Sequence, residues 1–202
     1  MIQPPANSGS YFYNYKGQFS IVLLALVDAN YKFLMIDVGC NGRISDGGVF
    51  KNSSFGKAFN AGRLELPPPI PLPGREKLVP FVIVADDAFP LKENLMKPYS
   101  RCSLNISTRI FNYRLSRARR IVENAFGILA NRFRLFMTPI ALDLGKVERI
   151  VIAACCLHNF LQQECPDYAS VGSMDTEDSH GHTEFLMEIG AMTPNRKDGV
   201  EL

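Results

Sequence analysis

The stretch "YKGQFSIVLLALVDANYKFLMIDVG", residues 15–39, holds two apolar runs separated by "DAN" at 28–30. The first run is apolar without interruption, the pattern of a strand buried on both faces rather than one with a wet side. The second alternates around Phe33, Met35 and Val38, and Asp and Asn tolerate the backbone angles of a tight turn between them. Together with the strand and helices read downstream, this hairpin predicts an α/β architecture. Downstream, "CNGRISDGGVF" (40–50) reads as a glycine-rich loop leading to a short helix near "SSFGKAFNAG". "LPPPIPLPG" (66–74) is excluded from helix and central strand by its prolines and reads as an extended connector. "LVPFVIVA" (78–85) is a third strand, closed by "DDAFPL". A helix over about 108–131 carries the apolar stripe Ile110, Leu115, Ala118, Val122, Ala125 and Leu129. The nearly all-apolar "KVERIVIAACCLHNFLQQ" (146–163) reads as a core helix. These readings define a domain over 1–162, with 163–202 as an acidic, mostly disordered tail.

The chain has 202 residues, 47% hydrophobic and 21% charged, enough for one domain with a core. Its net charge of +2 conceals a polarised layout. Residues 101–136 hold eight arginines and a single acid, Glu123, whereas residues 161–202 hold nine acids against Arg196 and Lys197. Five cysteines without a C-x-x-C pair fit free thiols in a reducing compartment better than a disulfide framework. The start "MIQPPANSGS" lacks the regions of a signal peptide, and "IVLLALV" (21–27) is too short to span a bilayer. The expectation is a soluble intracellular protein without a membrane partner.

Two acidic positions carry the candidate chemistry. Asp86 and Asp87 close a buried strand, and in open α/β sheets ligands gather at the carboxyl ends of strands. A turn or helix-capping role accounts for the same residues without chemistry. Glu123, mid-helix and one turn after Arg119 and Arg120, reads either as half of an intrahelical ion pair or as a metal ligand at the edge of the apolar face. His158, in an apolar helix beside Asn159, reads as a hydrogen-bonded core histidine, and "DSHGHTE" (178–184) as a solvated spacer. "YFYNYKG" (11–17) suits nucleic-acid contact and a tyrosine-lined strand entry equally, and "SRARR" (116–120) is a weak nuclear-import pattern.

"NYKGQFSIVLLALVDANYKF", "GCNGRISDGGVF", "ADDAFPL" and "RRIVENAFGILANRFRLF", in this order and spacing, resemble the Harbinger/PIF-type transposase-derived nucleases over about residues 3–162. The resemblance implies an RNase H-like DDE endonuclease domain, a mixed sheet with flanking helices. It implies three carboxylates holding two divalent ions, Mg²⁺ or Mn²⁺, for phosphodiester hydrolysis on DNA. By motif position Asp86 corresponds to the second carboxylate and Glu123 to the third. Arg109, Arg114, Arg117, Arg120, Arg132 and Lys16 would then meet DNA phosphates. In the family the first carboxylate lies in an Asp-Gly-(Thr/Lys)-His stretch just upstream of the segment that begins this chain. The expected sheet therefore lacks its first, central strand, between the hairpin and the strand ending at Asp86, leaving two edges unpaired. Residues 2–14 are the nearest segment to fill that gap. Asp28, Asp37 and Asp46 are surrogate first carboxylates, Asp46 from within the glycine-rich loop. Three outcomes follow: a catalytically incomplete endonuclease, a non-catalytic DNA- or protein-binding remnant, or an incomplete fragment. The family further implies a nuclear location and a Myb/SANT-like protein partner that supplies sequence-specific binding.

Overall fold

A computed structural model describes residues 1–165, 167–168 and 188–194. The hairpin forms as its sequence requires: β1 (Ile21–Val27) pairs antiparallel with β2 (Phe33–Asn41). The register shifts between Val22 and Leu23, opposite Gly39. Gly39 has φ +114°, and a Cβ there would press on Glu148, so only glycine fits this bulge. The reversal is longer than "DAN". Asp28 Oδ1 accepts from the N–H groups of Asn30 and Lys32, and Tyr31 takes φ +64°.

Side chains of β1 alternate between two cores. Leu23, Ala25 and Val27 join Val122, Ala125, Leu129, Val147 and Val151 beneath the two long helices, α3 (Ile106–Arg132) and α4 (Leu144–Glu164). Val22, Leu24 and Leu26 join Val49, Phe50, Phe55 and Phe89 under two short helices, α1 (Asp46–Asn52) and α2 (Ser54–Asn60). The uninterrupted apolar run is thus explained by helices on both faces. The fold is α/β, as expected.

The third strand is divided by Pro80. Leu78–Val79 (β4) pairs with Ile70–Pro71 (β3) in a small separate sheet, and Phe81–Ala85 (β5) enters the main one beside β6 (Leu95–Met96). The α3 helix begins on Asn105, whose side chain caps the Thr108 N–H, and Leu115, Val122, Ala125 and Leu129 of its expected stripe are buried. Ile110 is exposed.

The expected gap in the sheet is filled. The main sheet runs β2-β1-β7-β5-β6, where β7 is Glu188–Pro194. β7 pairs parallel to β1 through Ala25↔Glu188 and Leu26↔Ile189, and antiparallel to β5 from Phe81↔Pro194 to Ala85↔Ile189. This corrects two expectations. The sheet is not open between the hairpin and the strand ending at Asp86, and residues 188–194 are a strand rather than disordered tail. The physical reason is that two facing edges of unmet N–H and C=O groups recruit a strand, and "EFLMEIGAMT" (184–193) is an apolar island within the acidic segment. Residues 2–14 do not fill the slot. Ile2 N–H donates to the Phe19 carbonyl and Gln3 N–H to the Ile140 carbonyl, tying the start of the chain to the far side of the hairpin. "DSHGHTE" lies outside the described residues.

Candidate functional site

Asp86 stands directly after the last residue of β5, as the sequence placed it. Its Oδ1 accepts from the Ala88 N–H at 2.8 Å, and the turn it makes drops Phe89 into the core at 1% exposure. The capping role and the site role coincide in one residue. Burial raises the proton affinity of Asp86 and the neighbouring Asp87 charge adds to that, while the Ala88 N–H, Arg119 and Lys97 oppose it. Lys97 is held close by donating to the Asp87 carbonyl at 2.8 Å.

Asp46 is not in a loop but opens α1, with Ser45 at the N-cap position. Burial raises its proton affinity first, and the charges of Asp86 and Asp87 raise it further. The backbone approach that brings them together depends on Gly47, where a Cβ would stand 2.7 Å from the Ala88 carbonyl oxygen. The other two surrogates serve the fold. Asp28 organises its turn, and Asp37 accepts from Ser54 N–H and Oγ at the start of α2.

Glu123 is exposed on α3, one turn beyond the half-buried Arg119 whose charge acts on Asp86. Asp46 is brought within reach of the charges of Asp86 and Asp87. Among the described residues no group of three or more His, Cys, Asp or Glu side chains is placed to hold a metal ion. The described residues therefore do not make the three-carboxylate set that two divalent ions need.

Around the outer face of α3, Arg109, Arg114, Arg117 and Arg120 are all exposed. At helical spacing Arg109, Arg117 and Arg120 share one side, with the exposed Tyr113 between them. Arg132 is engaged within the fold: it donates to the Tyr168 carbonyl at 2.7 Å and its guanidinium lies 5.0 Å from that ring. Lys16 is exposed over the ring of Tyr15 at 5.3 Å. In "YFYNYKG", Phe12 and Asn14 face inward while Tyr11, Tyr13 and Tyr15 face solvent. The sequence reading set Arg119 beside Glu123 as an ion-pair candidate but did not connect it to Asp86, on which its charge acts; that link joins a helix to a distant strand end and leaves no local signal in the sequence.

The fold is a mixed α/β domain in which a strand ends at Asp86 and a long basic helix carries Glu123. The chain matches the DDE superfamily endonuclease family over residues 1–159 and belongs to that family, as the resemblance to Harbinger/PIF-type transposase-derived nucleases implied. It is 33% identical over 144 residues to "Protein ALP1-like" of Arabidopsis thaliana. That alignment covers 71% of this chain and 35% of the relative, so the chain spans about a third of the protein it matches. No solved structure matches. Endonucleases of this superfamily generally use divalent metals.

Proposed function

We propose that this transposase-derived endonuclease domain engages DNA through the outer face of α3 and does not, by itself, cleave it. The observation that supports this reading is the separation of two features. Arg109, Arg117 and Arg120 are exposed along one side of α3, while around Asp86, Asp87 and Asp46, among the described residues, no group of three or more His, Cys, Asp or Glu side chains is placed to hold a metal ion. Mg²⁺ or Mn²⁺ remains the cofactor class for the family's reaction. Asp86 and Glu123 remain the positions that correspond to its second and third carboxylates. A nuclear site of action and a Myb/SANT-like protein that adds sequence specificity accord with the family.

The test is a paired assay on duplex DNA with Mg²⁺ and Mn²⁺. Binding without metal-dependent cleavage is the expected result. Cleavage that Asp86→Asn abolishes would overturn it and favour a second reading, in which Asp46 acts as the first carboxylate. That reading has its own observation, the electrostatic coupling of Asp46 to Asp86. Loss of cleavage in Asp46→Asn as well would establish it.

A further inference from the structure

The α4 helix buries one face and leaves the other without a partner among the described residues. Val147, Val151, Ala154, Cys155 and His158 are buried against the sheet. On the opposite side Ile152, Leu157 and Phe160 are 42%, 51% and 60% exposed, with Cys156 exposed among them. At about 100° per residue these four form one stripe, which Arg149 and Glu164 close at its two ends. Both end residues are exposed.

The order of residues along the stripe identifies what it fits. Its apolar part, Ile152 to Phe160, is centred on Cys156, and Arg149 and Glu164 lie on either side of that residue at nearly matching distances, about 10 and about 12 Å at about 1.5 Å per residue. A second α4 laid antiparallel across it places each Arg149 on the partner's Glu164. The same arrangement sets Ile152 and Phe160 of one helix against Phe160 and Ile152 of the other. A face that is complementary to its own antiparallel copy in both charge and apolar content meets the requirement of a two-fold interface. We propose that the exposed face of α4 is a homodimer seam, formed by antiparallel pairing about a two-fold axis near Cys156. A seam of roughly 22 Å along one helix is short, and a weak, reversible dimer is expected.

The experiment uses the full chain under reducing conditions, followed by sedimentation from low to high micromolar concentration. The chain is expected to pass from monomer to dimer. Arg149→Glu alone and Glu164→Arg alone each set like charges face to face and weaken the dimer roughly tenfold or more. The double variant Arg149→Glu/Glu164→Arg restores it, a rescue that misfolding or a different contact surface does not give. In a Cys102→Ser/Cys165→Ser background a short bismaleimide joins two chains through Cys156, and Phe160→Glu abolishes that product. A chain that stays monomeric throughout, because the stripe is covered by its own residues or reserved for another protein, would overturn the proposal. A dimer indifferent to both charge variants would do the same.

Discussion

The charge of Asp86 raises the proton affinity of Asp46 across the junction between β5 and α1. Burial opposes the ionisation of both carboxylates, and the charge of Asp86 further opposes that of Asp46. The folded protein therefore binds protons at Asp46 and Asp86 more tightly than the unfolded chain does.

The sign of the pH effect follows. For acids whose proton affinity is raised by folding, the stabilisation is fully present below the ordinary carboxylate range and is lost as pH rises through the raised values. Asp46→Asn and Asp86→Asn remove that loss. Each variant is expected to melt higher than the parent at neutral pH, by a margin that solvent screening of these partly exposed groups keeps small. At acidic pH the difference disappears. Asn at position 86 keeps the oxygen that accepts from Ala88, so the turn survives the change. An unchanged or lower melting temperature for both variants at neutral pH would show that the pair is not under electrostatic stress.

DNA binding by the outer face of α3 is expected to be sequence-independent and steeply salt-dependent. Each phosphate contact releases counterions and contributes about −0.9 to the log–log slope. Arg117→Ala/Arg120→Ala should weaken binding and make the slope shallower by about 2. Arg132→Ala should leave the slope unchanged, because that guanidinium is held by Tyr168, and should lower stability instead. Fluorescence anisotropy across a salt series separates the two. Equal slopes for the parent and the double variant would move the DNA-contacting surface away from α3.

His158 is fully buried with both ring nitrogens in use. Nε2 lies 2.8 Å from the Tyr31 carbonyl, which only accepts, so Nε2 carries the proton and Nδ1 accepts from the Tyr168 hydroxyl at 3.0 Å. Burial lowers its proton affinity below the ordinary value of 6.5. For a base whose affinity is depressed by folding, the stabilisation is present above that ordinary value and is lost as pH falls below it. Melting temperature should therefore decline on acidification from pH 7, and His158→Gln should flatten this decline while costing about 1–3 kcal/mol at neutral pH. Equal pH dependence of the melting temperature in the parent and in His158→Gln from pH 7 to 5 would contradict the assignment, since the opposing trend of Asp46 and Asp86 is common to both.

The hairpin, the strand before Asp86 and both long helices were legible because burial imposes a period on their side chains. Where the structure departs from the sequence reading, a local average concealed a local exception. Gly47 and Gly48 disguise the start of α1, since glycine is a poor helix former, yet Gly47 is what lets Asp46 approach the turn after Asp86. The nine acids of residues 161–202 conceal "EFLMEIGAMT" (184–193). Strand order between distant segments leaves no periodicity in either, so the seat of β7 is a tertiary fact. The pairing of Asn159 with Phe33 is of the same kind: the side-chain amide donates to the Phe33 carbonyl and accepts its N–H, both at 2.8 Å.

The seat of β7 gives the sharpest test of the fold. β1 and β5 run in opposite directions in the sheet, so a strand between them must be parallel to one and antiparallel to the other. β7 satisfies ladder groups on both. Each buried group left without a partner costs about 1–3 kcal/mol, and a domain has only about 5–15 kcal/mol in all. Loss of a few such pairs would remove most of its stability. The intact chain is therefore expected to melt in one sharp transition. Deleting residues 185–202 should broaden or abolish that transition and bring strong binding of hydrophobic dyes. Met192→Pro removes an N–H in the middle of the strand, opposite Ile83, and should cost about 3 kcal/mol. A peptide spanning 185–196, added to the truncated chain, should restore the cooperative melt by pairing into the open slot. A truncated chain that melts as sharply as the parent, at the same temperature, would show that β7 is dispensable and that the two strand edges are satisfied in another way.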